Sequence, residues 1–233
     1  MFYIVIGVFD ALAALILPLA LYMLPIKDYK YKIIIFAVLI SLVSFIMRVV
    51  LNVPSLDLPL QYIMFVLFLR LSLKIKVHWA AFILGAGLSA YATLQMAVFY
   101  VYNFIGVMQV SALKENTTLQ VFLLQGTSIL IVYLFAGYLK LRCTGFSFIS
   151  APPHDFIWKE NYNTKENKMV IMSVLFSAIT ICLAIILLYK LDPLSLLLVS
   201  IFTFGLSYYF SKRSDYEDAR KAIEAYRIRN KKD

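Results

Sequence analysis

Charge is scarce in this 233-residue chain: Asp, Glu, Lys and Arg together make up 15% of it, against roughly a quarter in a soluble globular domain. Beside a hydrophobic content of 62% and a mean hydropathy of +0.83, that shortage excludes an ordinary water-soluble fold. Cysteine is scarcer still. Cys143 and Cys182 are too few for a disulfide framework or a metal cluster and are expected as free thiols. The two histidines, His78 and His154, have no Cys or carboxylate at metal-ligand or dyad spacing. His154 and Asp155 are adjacent, which does not bring two side chains together on a helix face. The phosphate-binding loop, G-x-G-x-x-G, H-E-x-x-H, C-x-x-C and G-x-S-x-G patterns are all missing. No catalytic residue, cofactor or metal is therefore expected, and the chain is read as a non-enzyme.

What the chain has in quantity is apolar runs of about 20 residues, the length that crosses roughly 30 Å of hydrocarbon. Seven segments qualify: about 2–24, 33–52, 59–74, 79–107, 118–141, 169–189 and 194–211. The fold expected is all-α, a polytopic membrane helix bundle over 1–211 followed by a basic helical tail over 212–233. The first run lacks a basic leader and a small-residue cleavage site, so it is read as a retained helix.

Loop charge orients the bundle. Lys27, Lys30 and Lys32 follow the first span, and Lys74 and Lys76 the third. Lys140, Arg142, Lys159, Lys165 and Lys168 lie in or border the loop after the fifth, and Lys212 and Arg213 open the tail. The other connections are poor in cations: 53–58 holds Asp57, 108–117 holds Lys114 beside Glu115, and 191–192 holds Asp192. Basic residues mark cytoplasmic loops, so the N-terminus is placed outside and the tail in the cytoplasm of a plasma-membrane protein. A six-span alternative requires one misassigned segment and breaks this alternation. The formal charge of +9 is explained by the same rule, and no nucleic-acid partner is expected.

The string Lys74-Ile75-Lys76-Val77-His78-Trp79 predicts a tight inner hairpin anchored at the headgroups. The long 143–168 loop carries Phe146, Phe148, Phe156 and Trp158, which are expected to dip into the inner leaflet. Gly85, Gly87 and Ser89 form a small-residue face suited to close helix packing.

Ionisable groups inside spans are costly and point to a bundle interior or cavity. Asp10 lies about 12 Å along the first helix and Arg48 about 6 Å from the outer end of the second, at 1.5 Å per residue. Two readings stand: an ion pair bordering an outward-facing cavity, or Arg48 snorkelling to the surface with Asp10 protonated. Gln95, Asn103 and Gln125 lie in the same half of the membrane, either joining Asp10 and Arg48 around a ligand pocket or gluing helices together. In the tail, Tyr216, Ala219, Ile223 and Tyr226 repeat at three, four and three, the seam of a short coiled coil that pairs two chains. With eight basic and five acidic residues, the same tail also suits an anionic lipid surface.

The layout resembles the membrane sensor module of peptide-pheromone histidine kinases of the accessory-gene-regulator type. The likeness rests on Leu17-Pro18 near the inner end of the first helix, the Lys27–Lys32 loop, the Lys74–Trp79 string, a long aromatic fourth helix and a last span passing straight into Tyr208–Lys221. It covers nearly the whole chain through layout and short strings. It implies reception of a hydrophobic or cyclic peptide. No phosphoacceptor histidine or nucleotide-binding box follows the last span before Asp233, so no kinase output is expected. The function expected is a receptor-like membrane protein binding a small hydrophobic or peptide ligand from outside. The substrate-binding subunit of a small-molecule importer and an oligomeric effector of phage defence are the alternatives.

Overall fold

The computed structural model describes residues 2–114, 118–149, 154, 163–190 and 192–229. It is 84% helix with no strand among the described residues. The order is α1 (Phe2–Leu21), α2 (Lys30–Phe45) running into a π-helical turn (Ile46–Val50), α3 (Pro54–Ser72), α4 (Val77–Phe104), a short 3-10 turn (Val110–Lys114), α5 (Leu119–Leu141), α6 (Lys165–Lys190) and α7 (Pro193–Arg229). All seven α-helices are long and apolar enough to cross a membrane, and the chain is a multi-pass membrane protein. Helix is the state such sequences require, because in hydrocarbon every backbone N–H and C=O must be paired within the segment.

Local chemistry sets the ends. Pro54 opens α3 and Pro193 opens α7, first-turn positions where a missing N–H costs nothing. Asp192 caps α7: its carboxylate accepts from the Ser195 backbone N–H at 3.1 Å and from the Ser195 hydroxyl at 2.6 Å. The Ser195 side-chain bond is the main reason that this carboxyl sits below the usual range. The α1 terminus closes with Met23 in the left-handed region and Leu24 N–H donating to Leu19 C=O at 2.9 Å. Cys143 and Thr144 close α5 in the same way, Thr144 donating to Leu139 C=O at 3.0 Å. Neither end carries glycine; Met23 takes the left-handed conformation itself, and α1 stops three residues short of the sequence-based limit.

The centre of the bundle is α1 and α4. Half of the apolar window of α1 and 56% of that of α4 are buried, against 22–28% for the others. α4 packs on α1, α3, α5, α6 and α7. The small-residue face of α4 is what lets them approach: a Cβ on Gly87 would fall 2.3 Å from Pro18 Cβ of α1, closer than real side chains come. The outer helices turn Leu, Ile, Val and Phe outward, among them Ile35, Leu71, Phe104 and Leu134. Such a surface suits lipid and would be an aggregation hazard in water.

The upper end of the bundle carries the N-terminus and the α2–α3, α4–α5 and α6–α7 connections. The lower end carries the remaining connections and the start of the tail. There the Lys74–Trp79 hairpin forms as expected, Lys74 adopting φ 56° and Ile75 fully buried. The loop after α5 corrects an expectation. Phe146 and Phe148 do not dip into lipid: they pack on Tyr22, with Phe148 also against Trp79 and Phe82 and Phe146 against Tyr208. Phe146 N–H donates to Leu21 C=O at 2.8 Å, an approach that Gly145 permits because a Cβ there would lie 2.8 Å from the same oxygen. Two rings that can reach a protein cleft gain dense contacts that lipid does not match. Phe156 and Trp158 lie outside the described residues.

Candidate functional site

The α2–α3 corner builds the first part of the site. At its upper end α2 widens into the π-helical turn that carries Arg48, a distortion frequent at functional positions. Six residues after Arg48, α3 begins, and Asp57 sits in its first turn, where a carboxylate is favoured by the helix N-terminus. One of the two sequence readings pairs Arg48 with Asp10. The structure places it on Asp57, the Arg48 Nε donating to Asp57 Oδ2. Asp57 is fully buried and completely served: Ser44 Oγ donates to Oδ2 at 3.0 Å and Gln61 Nε2 to Oδ1 at 2.9 Å. Arg48 therefore neither pairs with Asp10 nor snorkels unpaired.

Asp10, halfway along α1, accepts a hydrogen bond on Oδ1 from the Tyr91 hydroxyl of α4. Its second oxygen takes no hydrogen bond from a described residue. Between Asp10 and the helices facing it lies a cavity of about 260 Å³ in the upper half of the bundle. Every α-helix except α2 contributes to its wall, and the π-helical turn that follows α2 adds Arg48, beside residues such as Asp10, Tyr62, Gln95, Gln125 and Ser200. Asp10, Arg48, Gln61 and Gln125 also line an adjoining polar chamber of about 40 Å³, room for about one water molecule.

Of the five sequence-derived site residues, four meet at this cavity: Asp10, Arg48, Gln95 and Gln125. Asn103 does not. It stands at the upper end of α4 and donates from Nδ2 to Met108 C=O at 3.0 Å, clipping the α4–α5 connection. That connection folds back on the bundle, burying Met108 and Ala112 beside Phe99 and Leu124, and contributes Leu113 to the cavity wall. The Gln95 and Gln125 amides make no hydrogen bond to another described residue, so they are free to serve a bound molecule. Ser200 on α7 is 1% exposed, lines the cavity and leaves its hydroxyl without a partner.

No family model, curated protein or solved structure matches this chain.

Asp57, Ser44, Gln61, Tyr91 and Ser200 are absent from the sequence-derived set. Asp57 was legible in principle. Val53–Leu58 reads as an outer loop by charge, yet Pro54 three residues before an acid is a helix-start pattern, and starting α3 there puts Asp57 one turn inside. Ser44 and Gln61 are then neighbours of Asp57 by helical spacing, one turn before Arg48 and one turn after Asp57. Tyr91 and Ser200 carried no such signal, since a tyrosine and a serine are ordinary in apolar helices. Among the described residues no group of three or more His, Cys, Asp or Glu could hold a metal ion.

Proposed function

We propose that the chain is a receptor-like protein of the plasma membrane that binds a small amphipathic ligand, admitted from outside, in the seven-helix cavity and passes its occupancy to the cytoplasmic tail without catalysis of its own. One observation carries this reading: α7 contributes Leu196 and Ser200 to the cavity wall and continues without a break to Arg229. From Ser200 to the end of α7 is about 44 Å of continuous helix at 1.5 Å per residue. A ligand that displaces the upper part of α7 moves the tail with it, because a helix is stiff on that scale. The wall chemistry suits a ligand, being largely apolar with a few convergent polar groups, and the volume lies at the lower limit of small-molecule sites. A peptide, the ligand class suggested by the resemblance to pheromone sensors, would place one or two residues in it.

The test is mechanical and needs no ligand. Ala184 lines the cavity on α6, and Ala184→Phe puts a ring into it. Hydrogen exchange along 212–229 should change relative to the unsubstituted protein while exchange in α2 and α3 does not. A tail whose exchange is indifferent to a filled cavity would remove the link between site and output.

A further inference from the structure

The cavity has a charge imbalance that says what it accepts. Asp10 and Arg48 line its polar corner, and a second carboxylate, the fully buried Asp57, lies behind Arg48. Asp57 takes the Arg48 charge directly, with Ser44 and Gln61 completing its hydrogen bonds. Asp10 has one neutral donor, Tyr91, and an oxygen left over. An ionised carboxylate in a desolvated site is stable only with a compensating positive charge. Among the described residues that corner has one cation for two acids.

Around Asp10 the remaining wall fits an organic cation better than an inorganic one. Tyr62, Phe65 and Tyr91 line the same space, and aromatic faces attract ammonium groups. A bare metal ion needs about six oxygen ligands, whereas most of this wall is carbon. The unpartnered Gln95 and Gln125 amides and the buried, unpartnered Ser200 hydroxyl are acceptors and donors placed for polar atoms further along a molecule. Resting on the binding-site reading above, we propose that the ligand presents an ammonium group to Asp10 and an apolar body to the helices around it. The ammonium belongs either to a free amine or to the amino terminus of a hydrophobic peptide.

Thermal unfolding of the purified full chain in detergent, with three probes of similar shape and different charge, tests this. The probes are 2-phenylethylamine, 3-phenylpropan-1-ol and 3-phenylpropionate. The amine should stabilise saturably and bind about tenfold or more tighter than the alcohol, the margin that a hydrogen bond to a charged group confers. The carboxylate should not stabilise. In Asp10→Asn the amine should lose its advantage over the alcohol. Should that variant fail to fold, Tyr91→Phe serves instead: by freeing Asp10 of its internal donor it should strengthen amine binding. Ala184→Phe, filling the cavity, should abolish stabilisation by every probe, and any that persists there is partition into detergent. Phenylalanyl-leucinamide and its N-acetyl form distinguish the sources, a peptide site binding the free amino terminus and rejecting the acetylated one.

Equal stabilisation by alcohol and amine, equal binding of the free and acetylated dipeptides, or stabilisation by sodium chloride alone would overturn the ammonium assignment while leaving a cavity that binds ligands. If no probe stabilises the protein, or stabilisation survives Ala184→Phe unchanged, the binding-site reading falls with it.

Discussion

At the scale of single residues, the cost of burying charge decides the arrangement. Asp57 is fully buried and Arg48 keeps a quarter of its side chain exposed, so the pair is desolvated on the acid's side and wetted on the other. Removing one partner of a well-buried pair leaves an uncompensated charge and costs about 3–5 kcal/mol. Arg48→Gln, which leaves the fully buried Asp57 carboxylate without a counter-charge, should approach that loss in thermal unfolding, and Asp57→Ala should lose less because the partly exposed Arg48 still reaches solvent. The double variant should lose clearly less than the sum of the two, since adjacent groups couple. Additive losses would show that the two residues do not depend on each other. The parallel cycle between Asp10 and Arg48 should give weaker coupling, because Tyr91 and not Arg48 holds Asp10. Sequence alone offered Arg48 either Asp10 as a partner or the outer surface, and Asp57 was neither.

At the scale of elements, the lower end of α7 is tied to the loop that seals the bundle. Asp215 Oδ1 accepts the backbone N–H groups of Ser147 and Phe148, each at 2.8 Å, while Phe146 and Phe148 fill the space around Tyr22. Asp215→Ala removes the acceptor for both amides. Their hydrogen exchange should accelerate by about tenfold, the worth of a hydrogen bond to a charged group, with Tyr22 and Leu21 little affected. Unchanged exchange would mean that aromatic packing alone holds the loop. Beyond Asp215 the expected seam of α7 is exposed: Tyr216 is 72% exposed, Ile223 55% and Tyr226 67%. The pairs Arg213–Glu217 at 2.9 Å and Arg220–Glu224 at 2.8 Å brace the helix along its length. If this face pairs two chains, Ile223→Asp should lower the dimer fraction in detergent, because a charge in the seam opposes its partner. A dimer fraction that does not change would assign the face to the lipid surface instead.

At the scale of the whole molecule, topology follows from where the cations lie. A reporter active only in the cytoplasm should give signal when fused after Asp233 and none when inserted within 112–117. The reverse would invert the bundle and put the cavity on the cytoplasmic side. The number of spans, their approximate limits, the inner hairpin and the small-residue face of α4 were all legible in the sequence. Each depends on a run of local composition: apolar length sets a span, and loop charge gives its expected direction. The meeting of Asp10, Arg48, Gln95 and Gln125 was legible as well, because polar residues at matching depths in a bundle have few places to go except inward. What only the tertiary structure decided was partnership. Whether Arg48 faces Asp10 or Asp57, whether Phe146 meets lipid or Tyr22, and whether Asn103 lines the cavity or clips a loop depend on helix rotation and on loop paths. Those are set by contacts between segments far apart in the chain, and local composition does not encode them.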